Sequence, residues 1–159
     1  MIDPKTLSNK EHYECEVEVL DNMIPHDNLE RLFSHIIKSE DISLLAEDIA
    51  TAVCVEIFRL NEEDVNLKNL QITKVSKEEP FVARRSGVEK QDSYVTVVLN
   101  SIWHKWCGGE FIVFEKGEAK EIISAHPGRV IVSYGNNWID VATPKHHDSP
   151  LYLLQFQVV

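Results

Sequence analysis

The chain has 159 residues, 43% of them hydrophobic and 26% charged, with a formal net charge of −10. This length suits a single domain, 1–159, with one substantial core. No apolar run approaches the roughly 20 residues that cross a bilayer, and Met1-Ile2-Asp3-Pro4-Lys5 does not open a signal peptide, so no membrane partner is expected.

The charge is unevenly placed. Residues 1–80 carry 18 acids against 8 Lys/Arg, whereas residues 81–159 carry 8 against 8. A negative field of this kind repels phosphate backbones, so no nucleic-acid partner is expected. Cys15, Cys54 and Cys107 are too few and too scattered for a disulfide framework, and no Asn-x-Ser/Thr sequon is present. Both features fit a reducing, cytoplasmic setting.

Residues 1–16 are polar and expected to be flexible, and Glu16–Leu20 alternates like a short strand that Asp21-Asn22 breaks. Asp27 is the expected N-cap of a helix carrying Leu29, Leu32, Phe33, Ile36 and Ile37 at helical spacing. A second helix is predicted from about Ser43 to Leu60, with Leu45, Ile49, Ala52, Val53, Ile57 and Leu60 on one face. Residues 17–69 thus read as a strand plus supporting helices.

The period then changes from helical to two. Leu70, Ile72 and Val75 begin the strands, followed by Tyr94–Asn100, Glu110–Glu115, Glu121–Ser124, Arg129–Tyr134, Trp138–Ala142 and Leu151–Val158. Glycine-containing turns separate most of them: Ser86-Gly87, Gly108-Gly109, Lys116-Gly117, Pro127-Gly128 and Gly135-Asn136-Asn137. Short strands after a helical start predict an α+β fold, with N-terminal helices packed on an antiparallel jelly roll over residues 70–159. Trp103 and Trp106, beside the Gly108-Gly109 corner, are expected to cap one end of the barrel.

Two other groupings are chemically suggestive. His146-His147-Asp148 is the densest potential metal cluster, but adjacent residues of an extended chain point to opposite sides. His104-x-x-Cys107 has the spacing of half a zinc site and lacks a second pair. No phosphate-binding loop, nucleophile elbow or His-Glu-x-x-His is present, and no catalytic residue is assigned.

The order of segments carries a resemblance. Val19-Leu20-Asp21-Asn22-Met23-Ile24-Pro25 before an amphipathic helix resembles the opening of the prolyl 4-hydroxylase-like 2-oxoglutarate/Fe(II) oxygenases. Val97-Val98-Leu99-Asn100, Trp103 and Gly108-Gly109-Glu110-Phe111 are similar to that family's central strand pair. Pro127-Gly128-Arg129-Val130 and Leu151–Phe156 are similar to its later strands. The resemblance implies a double-stranded β-helix, or jelly roll, of about eight strands.

The resemblance also implies three iron ligands, two His and a carboxylate, and a basic residue on the last strand for 2-oxoglutarate. By spacing from Phe81, Arg84 falls at the first His and Ser86 at the carboxylate. The distal His falls on Ile139 if Val141 sets the register, and on Asp140 if Pro144 does. Ser149-Pro150-Leu151 supplies no basic anchor. The expectation is therefore a catalytically degenerate relative without metal or cofactor, acting as a binding or interaction module for a protein partner or a small anionic ligand. Arg84 could hold such an anion bidentately or close an internal ion pair with Asp140. Two alternatives remain open: an active Fe(II)/2-oxoglutarate dioxygenase with displaced ligands among Asp140, His146 and His147, and a jelly-roll assembly subunit of the viral kind.

Overall fold

The computed structural model describes residues 17–82, 93–134, 137–145 and 150–158. Two helices precede most of the sheet: α1 spans His26–Ile37 and α2 spans Ser43–Phe58. The strands are β1 Val17–Leu20, β2 Leu67–Val75, β3 Ser93–Val98, β4 Phe111–Glu115, β5 Glu118–Ile123, β6 Val130–Tyr134, β7 Trp138–Val141 and β8 Leu151–Val158. They form a five-stranded sheet in the order β1-β6-β3-β8-β2 and a three-stranded sheet in the order β5-β4-β7. Every pairing within them is antiparallel. The expected α+β jelly roll with supporting helices is the observed fold.

Period-two alternation divides the large sheet between two cores. On the helix side, Val95, Val97, Val130, Val132, Leu154 and Phe156 pack with Leu20, Leu32, Ala50, Val53 and Ile57. On the other side, Val98, Ile131, Leu151 and Leu153 pack with Phe111, Val113, Ile139 and Val141 of the small sheet. Burying each large apolar side chain of this kind is worth about 1.5–3 kcal/mol. The pairs Val97-Val98 and Leu153-Leu154 place apolar side chains on both faces because the central strands are covered on both sides.

Local sequence explains several boundaries and corrects others. Helix α1 begins at His26, with Pro25 at the N-cap position and no side-chain cap, so Asp27 lies in the first turn rather than at the cap. The fixed φ of proline pre-organises that entry. Helix α2 ends two residues before Leu60, because Arg59 takes the left-handed conformation with φ 55°. Its buried residues include Ala46, Ala50 and Cys54 beside the expected Ile49, Val53 and Ile57, so it buries a wider face than the predicted stripe. Lys116 and Gly117, with φ of 54° and 81°, form the two-residue turn between β4 and β5. Positive φ at both central positions matches the right-handed twist of the flanking strands.

One end of the barrel is closed. Trp103 is buried there and donates its indole N–H to the Gly108 carbonyl at 3.2 Å. Trp106 is 62% exposed and stacks on His104 at 4.5 Å, so only Trp103 caps the barrel. Asn100 fastens the same end by donating to Pro150 O at 3.0 Å and accepting from the Tyr152 N–H at 2.8 Å.

Candidate functional site

The opposite end of the barrel stays open because the inward residues change character along each strand. Toward the closed end they are Val75, Val98, Ile131, Leu151 and Leu153. Toward the open end, the same faces of β2, β8, β3 and β6 carry Gln71 and Thr73, Gln155, Tyr94 and Thr96, and Ser133. The strand register sets Gln71 opposite Gln155, Gln155 opposite Thr96, and Tyr94 opposite Ser133. Thr73 Oγ1 donates to Gln155 Oε1 at 3.0 Å, which leaves the Gln155 amide NH2 as a donor.

These side chains form the floor of a cavity of about 410 Å³. The facing wall is Pro80, Phe81, Val82 and Ile139, with Asn137 and Trp138 at one side. Thr96 and Ser133 are each only 3% exposed, so the polar floor is built into the sheet. Lys74 and Glu79 also border the cavity and form a loose ion pair at 3.7 Å, both substantially exposed.

Among the sequence-predicted positions, Ile139 lines this cavity and is almost fully buried. Asp140 does not line it: it is paired with Ile112 on the alternate face of the small sheet, and its Oδ1 accepts the Val141 N–H at 2.9 Å. Asp140 therefore faces away from the cavity, on the side of the small sheet opposite Ile139. Arg84, Ser86, His146 and His147 lie outside the described residues, as does the expected flexible segment 1–16.

Of the other two groupings, His146-His147-Asp148 lies outside the described residues, and His104-x-x-Cys107 is placed beside the closed end of the barrel. Cys107 is buried in the core between the sheets, and its N–H bonds to the His104 carbonyl at 2.9 Å. Among the described residues no three His, Cys, Asp or Glu side chains gather as a metal site.

The fold formed by these two sheets and the helices is shared with solved structures. A Pseudomonas putida prolyl-4-hydroxylase superposes with a TM-score of 0.61 at 12% identity, over 90% of this chain and 84% of that one. The chain has the prolyl 4-hydroxylase fold. A Trichoplax adhaerens prolyl hydroxylase, solved in complex with a hypoxia inducible factor oxygen degradation domain peptide, matches with a TM-score of 0.60 at 10% identity, covering 89% and 82% of the two chains. A 2OG-Fe(II) oxygenase family member from Burkholderia pseudomallei matches at 0.51 and 19% identity, over 89% and 66%. No protein-family profile matches the sequence, and no curated protein does.

Among the described residues, Ile139 and the inward residues of β8 offer no iron ligand and no anchor for 2-oxoglutarate, and the other two ligand positions, Arg84 and Ser86, lie outside them. Ile139 offers only hydrocarbon where the resemblance places the distal ligand, and Asp140 is on the other face. The inward residues of β8, Leu151, Leu153 and Gln155, include no cation for a carboxylate.

The cavity floor was not singled out in the sequence, although a signal for it exists. Thr96, Ser133 and Gln155 are polar residues set within largely apolar strands. Such residues become meaningful only when several strands are laid side by side at one level.

Proposed function

We propose that the chain is a catalytically degenerate relative of the 2-oxoglutarate/Fe(II) oxygenases, working as a binding module through the mouth of its barrel. The observation that carries this reading is Ile139, a hydrocarbon side chain facing an open cavity from one of the two positions to which the resemblance assigns the distal iron ligand, while Asp140, the other, faces away. Loss of chemistry with closure of the site would leave a packed core. Here a cavity of about 410 Å³ persists, within the range of about 300–1,000 Å³ typical of small-molecule sites. The bound partner in this reading is a small molecule. Arg84 and Arg85 lie two and three residues beyond Val82 in sequence, so an anionic group on that molecule stays within the proposal.

The dioxygenase alternative with displaced ligands draws on Asp140, His146 and His147; the outward placement of Asp140 argues against the first of these, and the two histidines lie outside the described residues. The deciding experiment is anaerobic Fe(II) loading with elemental analysis, alongside a ligand-observed NMR screen of wild type and Ser133→Trp, which fills the cavity. The expected result is no stoichiometric iron, with small-molecule signals that vanish in Ser133→Trp. About one iron per chain, or bound fragments indifferent to Ser133→Trp, would overturn it.

A further inference from the structure

The two walls of the cavity are chemically unlike, and this narrows the ligand. The floor presents hydroxyl and amide groups from four adjacent strands: Thr73, Gln155, Tyr94, Thr96 and Ser133. Strands are spaced about 4.8 Å apart, so donors and acceptors recur across the floor at that interval. An ion or a single polar atom would engage one of these groups and put nothing in place of the water it displaces from the others, at a cost in desolvation. A molecule bearing several hydroxyls along one edge would engage them together, since hydroxyls both donate and accept.

The opposite wall, Pro80, Phe81, Val82 and Ile139, has only hydrocarbon side chains. It requires a ligand with an apolar side of its own. A pyranose ring meets both demands, having C–H faces and a hydroxylated edge.

Resting on the binding-module reading above, we infer that the cavity between the Thr96–Ser133–Gln155 floor and the Phe81–Ile139 wall binds a polyhydroxylated, sugar-like molecule. The floor directs specificity through hydroxyl contacts, and the wall covers the ring. A neutral sugar and a sugar acid share this chemistry.

Saturation-transfer NMR and calorimetry on the full chain test it, with glucose, galactose, their disaccharides and glucuronate as probes, and 2-oxoglutarate and citrate as non-sugar anions. The test variants are Thr96→Val, which keeps side-chain shape, and Gln155→Leu; their melting curves against wild type show that the fold is intact. At least one sugar should bind, with saturation strongest on ring C–H protons, and Thr96→Val should weaken it about tenfold, the effect of roughly 1.4 kcal/mol. Preference for glucuronate over glucose would identify the sugar acid as the source, and the reverse the neutral sugar. Binding of only citrate, or of non-sugar fragments lost in Ser133→Trp, would sink the sugar inference while leaving a binding module in place, and binding of only 2-oxoglutarate would sink both. No cavity ligand of any class would overturn both.

Discussion

Arg129 grips Asp21 through two parallel hydrogen bonds, Nε to Oδ1 at 2.8 Å and Nη2 to Oδ2 at 2.9 Å, while Nη1 donates to the Ser124 carbonyl at 3.0 Å. The pair joins the exit of β1 to the start of β6, and both side chains are largely shielded from solvent. Planar fork-to-carboxylate contacts of this kind are among the stronger polar interactions. They fix the edge strand β1 in register against β6, where Val19 meets Ile131.

The first prediction follows from that pair. Arg129→Ala or Asp21→Ala should each cost about 3 kcal/mol, because the surviving charge is left shielded without its counterion. The double variant should lose clearly less than the two single losses added together. Urea denaturation of the four proteins gives the coupling directly, and additive losses would show that the contact contributes little.

2-Oxoglutarate, with or without Fe(II), should produce no melting shift. A ligand confined to the native state at 100 times its dissociation constant stabilises by about 2.7 kcal/mol, which a thermal melt registers easily. In the degenerate reading Ile139 stands in place of a distal ligand and no inward β8 residue is a cation, so the contacts such a shift requires are missing. A reproducible upward shift would contradict the degenerate reading.

Gly109 should not tolerate a side chain. Its φ is +72°, and an added Cβ would stand 3.1 Å from Trp103 and 3.2 Å from Leu151 at the closed end of the barrel. Gly109→Ala is expected to cost about 1–3 kcal/mol through backbone strain, with further loss from displacing Trp103. A melting temperature equal to wild type would refute this.

Asp41 accepts the Ser43 hydroxyl at 2.7 Å and the Ser43 N–H at 3.0 Å, and these bonds hold its carboxyl below the ordinary value. A carboxylate whose pKa is lower in the folded state stabilises above its unfolded pKa of about 3.9, and the contribution is lost as pH falls through the folded value. Asp41→Asn should therefore flatten the acid limb of the stability profile below about pH 4 relative to wild type, while leaving the shape of the curve above pH 6 unchanged.

Cys54 should resist alkylation. Burial in the core between α2 and the large sheet pushes its thiol up to about 12, so almost no thiolate exists near neutral pH. Iodoacetamide at pH 8 should label Cys54 only once the protein is unfolded, as read by peptide mass. Rapid labelling of the native protein would show that this core opens readily.

Much of the fold was legible in the sequence because it depends on local periodicity. Leu29, Leu32 and Ile36 announce one helix by their spacing, and the alternation from Leu70 onward, punctuated by Gly108-Gly109, Lys116-Gly117 and Pro127-Gly128, announces the strands. The positive φ of each of those four glycines was implicit in their turns. The helix ends were less legible: Arg59 turns left-handed with no glycine to signal it, and nothing local shows that Pro25 displaces Asp27 from the cap.

The candidate site belonged to the tertiary structure. Two registers were open in Trp138-Ile139-Asp140-Val141, and only pairing with β4, which sets Ile139 against Val113 and Asp140 against Ile112, decided which side chain faces inward. A shift of one residue reverses every side chain on a strand, so no reading of β7 alone could settle it. The same holds for Gln71, Tyr94, Thr96, Ser133 and Gln155, spread over 85 positions of sequence and gathered on one floor by the strand order β6-β3-β8-β2. Periodicity tells a residue which face of its own strand it occupies. What lies across the barrel from that face is determined by non-local pairing, which assembled this cavity.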